Sequence, residues 1–141
     1  MDLRYIELKT GYHDDGPAWI GKVKVSKTGK TVYFNNHAFQ RYNGGVGNYI
    51  DVETGDIYWI SGVKKNGNDR HWAGRGKIII DRKVIEAYLL ETDASSLDES
   101  RFEVKEIVDF FPVDRINGLL NGEEKYVKLE KCPGGRNFIN P

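Results

Sequence analysis

Short runs of alternating apolar and polar residues, separated by turn formers, fill the first half of the chain. Leu3 to Thr10 reads as a strand, and the breaker-rich loop Gly11-Tyr12-His13-Asp14-Asp15-Gly16-Pro17 follows it. Trp19 to Val25 ends in Lys22-Val23-Lys24-Val25, the period-two pattern of a half-buried strand. Lys27-Thr28-Gly29-Lys30 is a turn, and Thr31-Val32-Tyr33-Phe34 has the β-branched and aromatic make-up of a strand. Asn35-Asn36 tolerates positive φ and so can fold the chain straight back into His37 to Tyr42. After the break Asn43-Gly44-Gly45-Val46-Gly47, the runs Asn48 to Val52 and Ile57 to Ile60 flank the turn Glu53-Thr54-Gly55-Asp56. Lys77 to Ile80 is the last apolar strand of this half. Short strands at this spacing predict a mainly β fold (α+β), a small barrel or bent antiparallel sheet of five or six strands.

The pattern changes at Asp81. Asp81 to Leu90 predicts a helix, with Asp81 as N-cap and Val84, Ile85, Tyr88 and Leu89 along one face. That stripe needs cover, so the helix is expected to cap an open end of the barrel. Arg101 to Phe111 leaves two readings open. Ser100-x-x-Glu103 has the form of a capping box and favours helix. Val104, Ile107, Val108 and the nearby Pro112 favour strand. Val113 to Leu120 reads as a helical turn, Lys125 to Lys131 as a strand, and Cys132 to Pro141 as an irregular tail. Arg4-Tyr5-Ile6-Glu7-Leu8 resembles Lys125-Tyr126-Val127-Lys128-Leu129, which suggests two half-exposed strands of one sheet. The whole is read as a single domain over 1–141, with a basic β-rich part (1–83), an acidic helix and strand part (84–131) and the tail (132–141).

Charge sharpens this division. The formal net charge is zero, but residues 20–83 hold 12 Lys/Arg and 5 Asp/Glu while residues 84–130 hold 5 and 12. The two halves either neutralise each other by packing together or present opposite surfaces to partners. One cysteine in 141 residues allows no intrachain disulfide and fits a reducing, cytoplasmic setting. No apolar run is long enough to span a membrane.

Few motifs carry chemistry. Gly29-Lys30-Thr31 resembles the end of a P-loop, but Lys24 stands where the first glycine belongs and a strand follows instead of a helix. Gly44-Gly45-Val46-Gly47 opens no helix and does not match a dinucleotide fingerprint. His13-Asp14-Asp15 are three adjacent side chains, which rarely converge on one ion, and no partner His or Cys sits at ligand spacing. Cys132 has no base in view. No cofactor, metal site or catalytic residue is therefore expected. The stretch Ser61 to Lys77 stands apart. It gathers Lys64, Lys65, Arg70, Arg75 and Lys77 with His71 and Trp72 in a glycine-rich segment between two strands. Trp beside Arg can stack on a base or an aromatic ring, and cations meet phosphates or carboxylates. Lys22 and Lys24 would project from one strand face and, with Trp19, Tyr33 or Trp72 at its edge, extend the surface. Folding of Trp72 into the core, with the cations solvating a plain loop, is the structural alternative.

Gly16-Pro17-Ala18-Trp19-Ile20-Gly21, Val32-Tyr33-Phe34-Asn35, Asp51-Val52-Glu53-Thr54-Gly55, Tyr58 to Lys65 and Asp69 to Gly74 resemble a family of small bacterial proteins with no assigned activity. The resemblance spans about residues 5–85 and implies a bacterial origin and a compact N-terminal unit. Three functions fit the residues. The first is a non-catalytic binding module, for nucleic acid or protein, centred on Lys64, Lys65, Arg70, His71, Trp72, Arg75 and Lys77 with Lys22 and Lys24. The second is a protein-partner role, of the immunity-protein, antitoxin or adaptor kind, through the acidic part. The third is a nuclease-like enzyme with His71 as acid/base, for which no second acid or base is evident.

Overall fold

The structure is a computed structural model that describes residues 2–9, 16–43, 45–69 and 76–121. It divides into two units at Phe110–Phe111, each taken by itself. The first is mainly β. Six strands, β1 (Asp2–Leu8), β2 (Ala18–Val25), β3 (Thr31–Phe34), β4 (His37–Arg41), β5 (Tyr49–Asp51) and β6 (Ile57–Gly62), pair antiparallel with their sequence neighbours. The pairing of β1 with both β2 and β6 closes them into a barrel. Two more strands, β7 (Ile78–Asp81) and β8 (Phe102–Lys105), extend the sheet from β2, and both pairings are parallel.

The turns follow from residue type. Asn35 and Asn36 adopt φ of 48° and 67°, which lets β3 return directly as β4. Asp51 Oδ1 accepts the amides of Glu53 (2.9 Å) and Thr54 (3.2 Å), and Gly55 turns at φ 80°. Asn48 substitutes for a strand residue: its amide group donates to Ile60 O and accepts Ile60 N–H, both at 2.8 Å. The barrel is steeply sheared. A path of hydrogen-bonded neighbours from Ser26 runs through Thr31, Gln40, Ile50 and Ile57 to Lys9. It reaches β1 where Leu8 already bonds Pro17, at the opposite end of β2 from its start. Such stagger means strongly tilted strands around an interior filled by side chains.

That interior is one apolar cluster: Ile6, Val23, Val32, Phe34, Phe39, Tyr58 and Ile60, with Ile107. Gly21 makes it possible, because a Cβ there would lie 2.6 Å from the Phe34 ring. A second cluster forms on the outer face of the same β1–β2 wall. It joins Tyr5, Ala18 and Ile20 to Ile78, Ile80, Val84, Tyr88 and Phe102. The helix expected near 81–90 begins as a 3-10 turn (Arg82–Val84), with the Asp81 side chain accepting Lys83 N–H, and continues as α1 (Ile85–Thr92). The cover for its apolar stripe comes from this outer wall, β7 and β8. Of the two readings open for 101–111, strand holds for Phe102–Lys105 and the rest is irregular. The parallel pairing of Phe102 with Ile78 outweighs the capping signal, because Asp98 takes the Ser100 amide and hydroxyl into a turn instead.

In the second unit, α2 (Val113–Asn121) starts after Pro112, whose carbonyl accepts Ile116 N–H at 3.0 Å, and Ile116 is buried. The expected strand Lys125–Lys131 and the tail lie outside the described residues. Among the described residues no helix is long and apolar enough to cross a membrane.

Candidate functional site

The segment 63–77 is a crossover. It leaves β6 beside Arg4 of β1 and enters β7 beside β2, so it joins two strands that do not pair with each other. Its first part is built tightly. Lys64 N–H donates to Asp69 Oδ1 at 2.7 Å, and Gly67, at φ 75°, donates to Lys64 O at 3.0 Å. Arg101, just ahead of β8, donates to Gly67 O at 2.6 Å. A Cβ on Gly67 would sit 3.6 Å from the Tyr88 hydroxyl, which places this turn against α1. Lys64 and Lys65 point into solvent from it, and Lys77 is exposed at the other end. Arg70, His71, Trp72 and Arg75 lie outside the described residues, as does the His13-Asp14-Asp15 run.

Asp69 is the unusual member. It is 9% exposed, and its Oδ2 is buried without a hydrogen-bond partner among the described residues. Burial raises its pKa above the ordinary value, against the Lys64 amide and the charges of Lys64 and Arg101, which lower it. Burial also pushes the Tyr88 phenol up to about 12, with the Asp69 charge adding to the effect.

Lys22 and Lys24 share one face of β2, as their spacing requires, but their surroundings differ. Lys22 is half-buried and paired with Asp109 at 3.4 Å, whereas Lys24 is exposed. The two charge halves therefore meet where the chain leaves β8. Arg82 reaches Glu106 at 3.5 Å, and Lys83 Nζ holds Asp81, Ile107 O and Glu106. Away from that seam, Lys24, Lys27, Lys30, Lys64, Lys65 and Lys77 enter no ion pair among the described residues. Of the three aromatics offered as alternatives for the edge of the basic surface, Trp72 lies outside the described residues and the other two are turned in or buried. Trp19 turns inward and meets Phe34 edge-on at 6.4 Å, and Tyr33 is 2% exposed.

Other exposed groups had no strong signal. Arg41 stacks over Tyr49 at 5.2 Å, with Tyr42 exposed beside it. Trp59 faces outward because Tyr58 and Ile60 face in, an alternation visible in the run Ile57 to Ile60. On the outer wall Glu7 is buried, with the Tyr5 hydroxyl (2.6 Å) on one oxygen and Lys9 (3.2 Å) on the other. Both oxygens being satisfied, this is a structural ion pair. Among the described residues no three His, Cys, Asp or Glu side chains gather as a metal site. No family model, curated protein or solved structure matches the chain.

Proposed function

We propose that the protein is a binding module for an extended polyanion, with single-stranded nucleic acid the class that best fits. The observation that supports this reading is the set of exposed cations on the β2–β3 hairpin (Lys24, Lys27, Lys30) and on the crossover (Lys64, Lys65, Lys77) that enter no ion pair among the described residues. Unpaired lysines are free to replace counterions on a phosphate backbone without first breaking an internal pair. Trp72, Arg70, His71 and Arg75 would add stacking and further phosphate contacts from the same crossover. The single cysteine fits a cytoplasmic location. Retention of the protein on single-stranded DNA and RNA at about 50 mM and about 200 mM salt tests the reading, because phosphate contacts weaken steeply over that range. Retention that falls with salt, and falls further in Lys64→Ala/Lys65→Ala, is the expected result. Binding that does not change with salt, or no binding at either concentration, would overturn it.

One observation favours a second reading, a protein partner for the acidic part. Leu90 is 81% exposed on α1, between Glu86, Glu91 and Asp93, which form no ion pair among the described residues. An apolar contact ringed by carboxylates suits a basic protein surface. Loss of pull-down of such a partner in Leu90→Ser, with nucleic-acid retention intact, would distinguish the two.

A further inference from the structure

Asp69 sits at the point where three elements converge: the crossover itself, α1 through Tyr88, and the approach to β8 through Arg101. Among the described residues, the charged or titratable groups that act on it are Lys64 from its own segment, Arg101 ahead of β8 and Tyr88 from α1. One of its oxygens closes the turn by accepting Lys64 N–H. The other is enclosed and has no hydrogen-bond partner among the described residues. Buried polar atoms are nearly always paired, and a buried carboxylate oxygen with no donor makes the ionised form costly.

We infer that Asp69 is a proton-controlled latch that holds the first turn of the crossover against α1 and Arg101. In the docked turn the neutral carboxyl keeps the Lys64 bond and carries no buried charge. Ionisation leaves a charged oxygen without a donor, and opening the turn lets water reach it. The sign follows from the raised pKa of the docked form. Docking is strongest below the ordinary aspartate value of 3.8 and is lost progressively as pH rises through the raised one. The latch concerns the stem from which Lys64 and Lys65 project. It therefore rests on the polyanion reading for what it regulates, but not for its existence.

Amide hydrogen exchange, read residue by residue between about pH 4 and about pH 8, spans the ordinary carboxylate range and tests the latch without any ligand. After correction for intrinsic rates, the Lys64 and Gly67 amides should lose protection as pH rises, while amides of β1 and β2 keep theirs. Asp69→Asn retains an acceptor for Lys64 and carries no charge, so it should abolish that pH dependence. The side-chain carboxyl carbon of Asp69, followed by NMR in the unaltered protein, should titrate above 3.8. A midpoint at or below that value, protection at Lys64 and Gly67 that ignores pH, or a pH dependence that survives in Asp69→Asn, would each overturn the proposal. Failure of nucleic-acid retention alone would leave these readouts unchanged.

Discussion

The barrel and the β7–α1–β8 addition are built from different kinds of connection. In the barrel each strand pairs with the next in sequence, and closure leaves β1 paired on both sides from Arg4 to Glu7. The addition joins β2 through two residue pairs, Trp19 with Ile79 and Ile20 with Ile80. Its stability comes from the second apolar cluster, laid against the outside of the wall that encloses the first. The β1–β2 wall is thus buried on both faces, with Ile6 and Val23 inward and Tyr5 and Ile20 outward. What holds the addition is side-chain burial, with little backbone ladder behind it.

Paired truncations test this contrast most strongly. Phe39 is 1% exposed and meets Tyr58 edge-on at 4.6 Å inside the barrel. Phe39→Ala should cost about 3–5 kcal/mol in denaturant unfolding. Phe102, packed edge-on against Tyr88 at 5.4 Å, fills the outer cluster. Phe102→Ala should cost a similar amount locally, yet native-state hydrogen exchange should show α1, β7 and β8 opening while β3 to β5 stay protected. Equal loss of protection everywhere would mean that the two clusters unfold as one unit.

The shared wall is the next place to look. Gly21→Ala would drive a methyl group to 2.6 Å from the buried Phe34 ring, and should cost about 1–3 kcal/mol as an overpacked core does. Because Gly21 lies on β2, its effect should reach the barrel and the addition together. Gly47 offers a comparison at the far side of the barrel, since a Cβ there would lie 2.5 Å from the backbone oxygen of Tyr58.

The same contrast explains what was legible in the sequence. Turn chemistry is local, so Asn35-Asn36 and Glu53-Thr54-Gly55-Asp56 announce their hairpins, and the strands on either side follow from period-two patterning. The run Ile78 to Ile80 announces a strand too, but not that it lies parallel to β2, since parallel pairing requires a crossover whose path no local signal encodes. The site divides likewise. Exposure of Lys24, Lys64, Lys65 and Lys77 follows from polarity. Capture of Lys22 by Asp109 and inward rotation of Trp19 depend on contacts between distant segments. Nothing in the sequence singles out Asp69, because only the folded arrangement leaves its second oxygen without a donor among the described residues.

Alkaline titration compares the two clusters through their tyrosines. Burial pushes Tyr58, in the barrel, up to about 12, with the charges of Asp51 and Asp56 adding to it, and pushes Tyr88, in the outer cluster, to about 12 as well. Phenols raised in the folded state support stability below the ordinary value of 10, and that support is lost as pH rises through 12. Ultraviolet difference titration should show late-ionising phenols, one of them removed by Tyr58→Phe and another by Tyr88→Phe. A variant that leaves the late step unchanged would show that its cluster admits water.

The smallest effect should fall on the seam where the charge halves meet. The Lys22–Asp109 pair is about a third exposed on each side, so Asp109→Asn should change stability by less than about 1 kcal/mol. Its consequence for binding is of a different kind. Freed from its partner, Lys22 joins Lys24 on the open face of β2, and the salt dependence of nucleic-acid retention should steepen by a fraction of one phosphate contact. Lys27→Ala/Lys30→Ala, on the adjoining hairpin, should leave unfolding unchanged and make that dependence shallower. Opposite shifts from the two variants, at nearly constant stability, would show that Asp109 limits the basic surface. Identical salt slopes would mean that the β2–β3 face takes no part in binding and that the crossover acts alone.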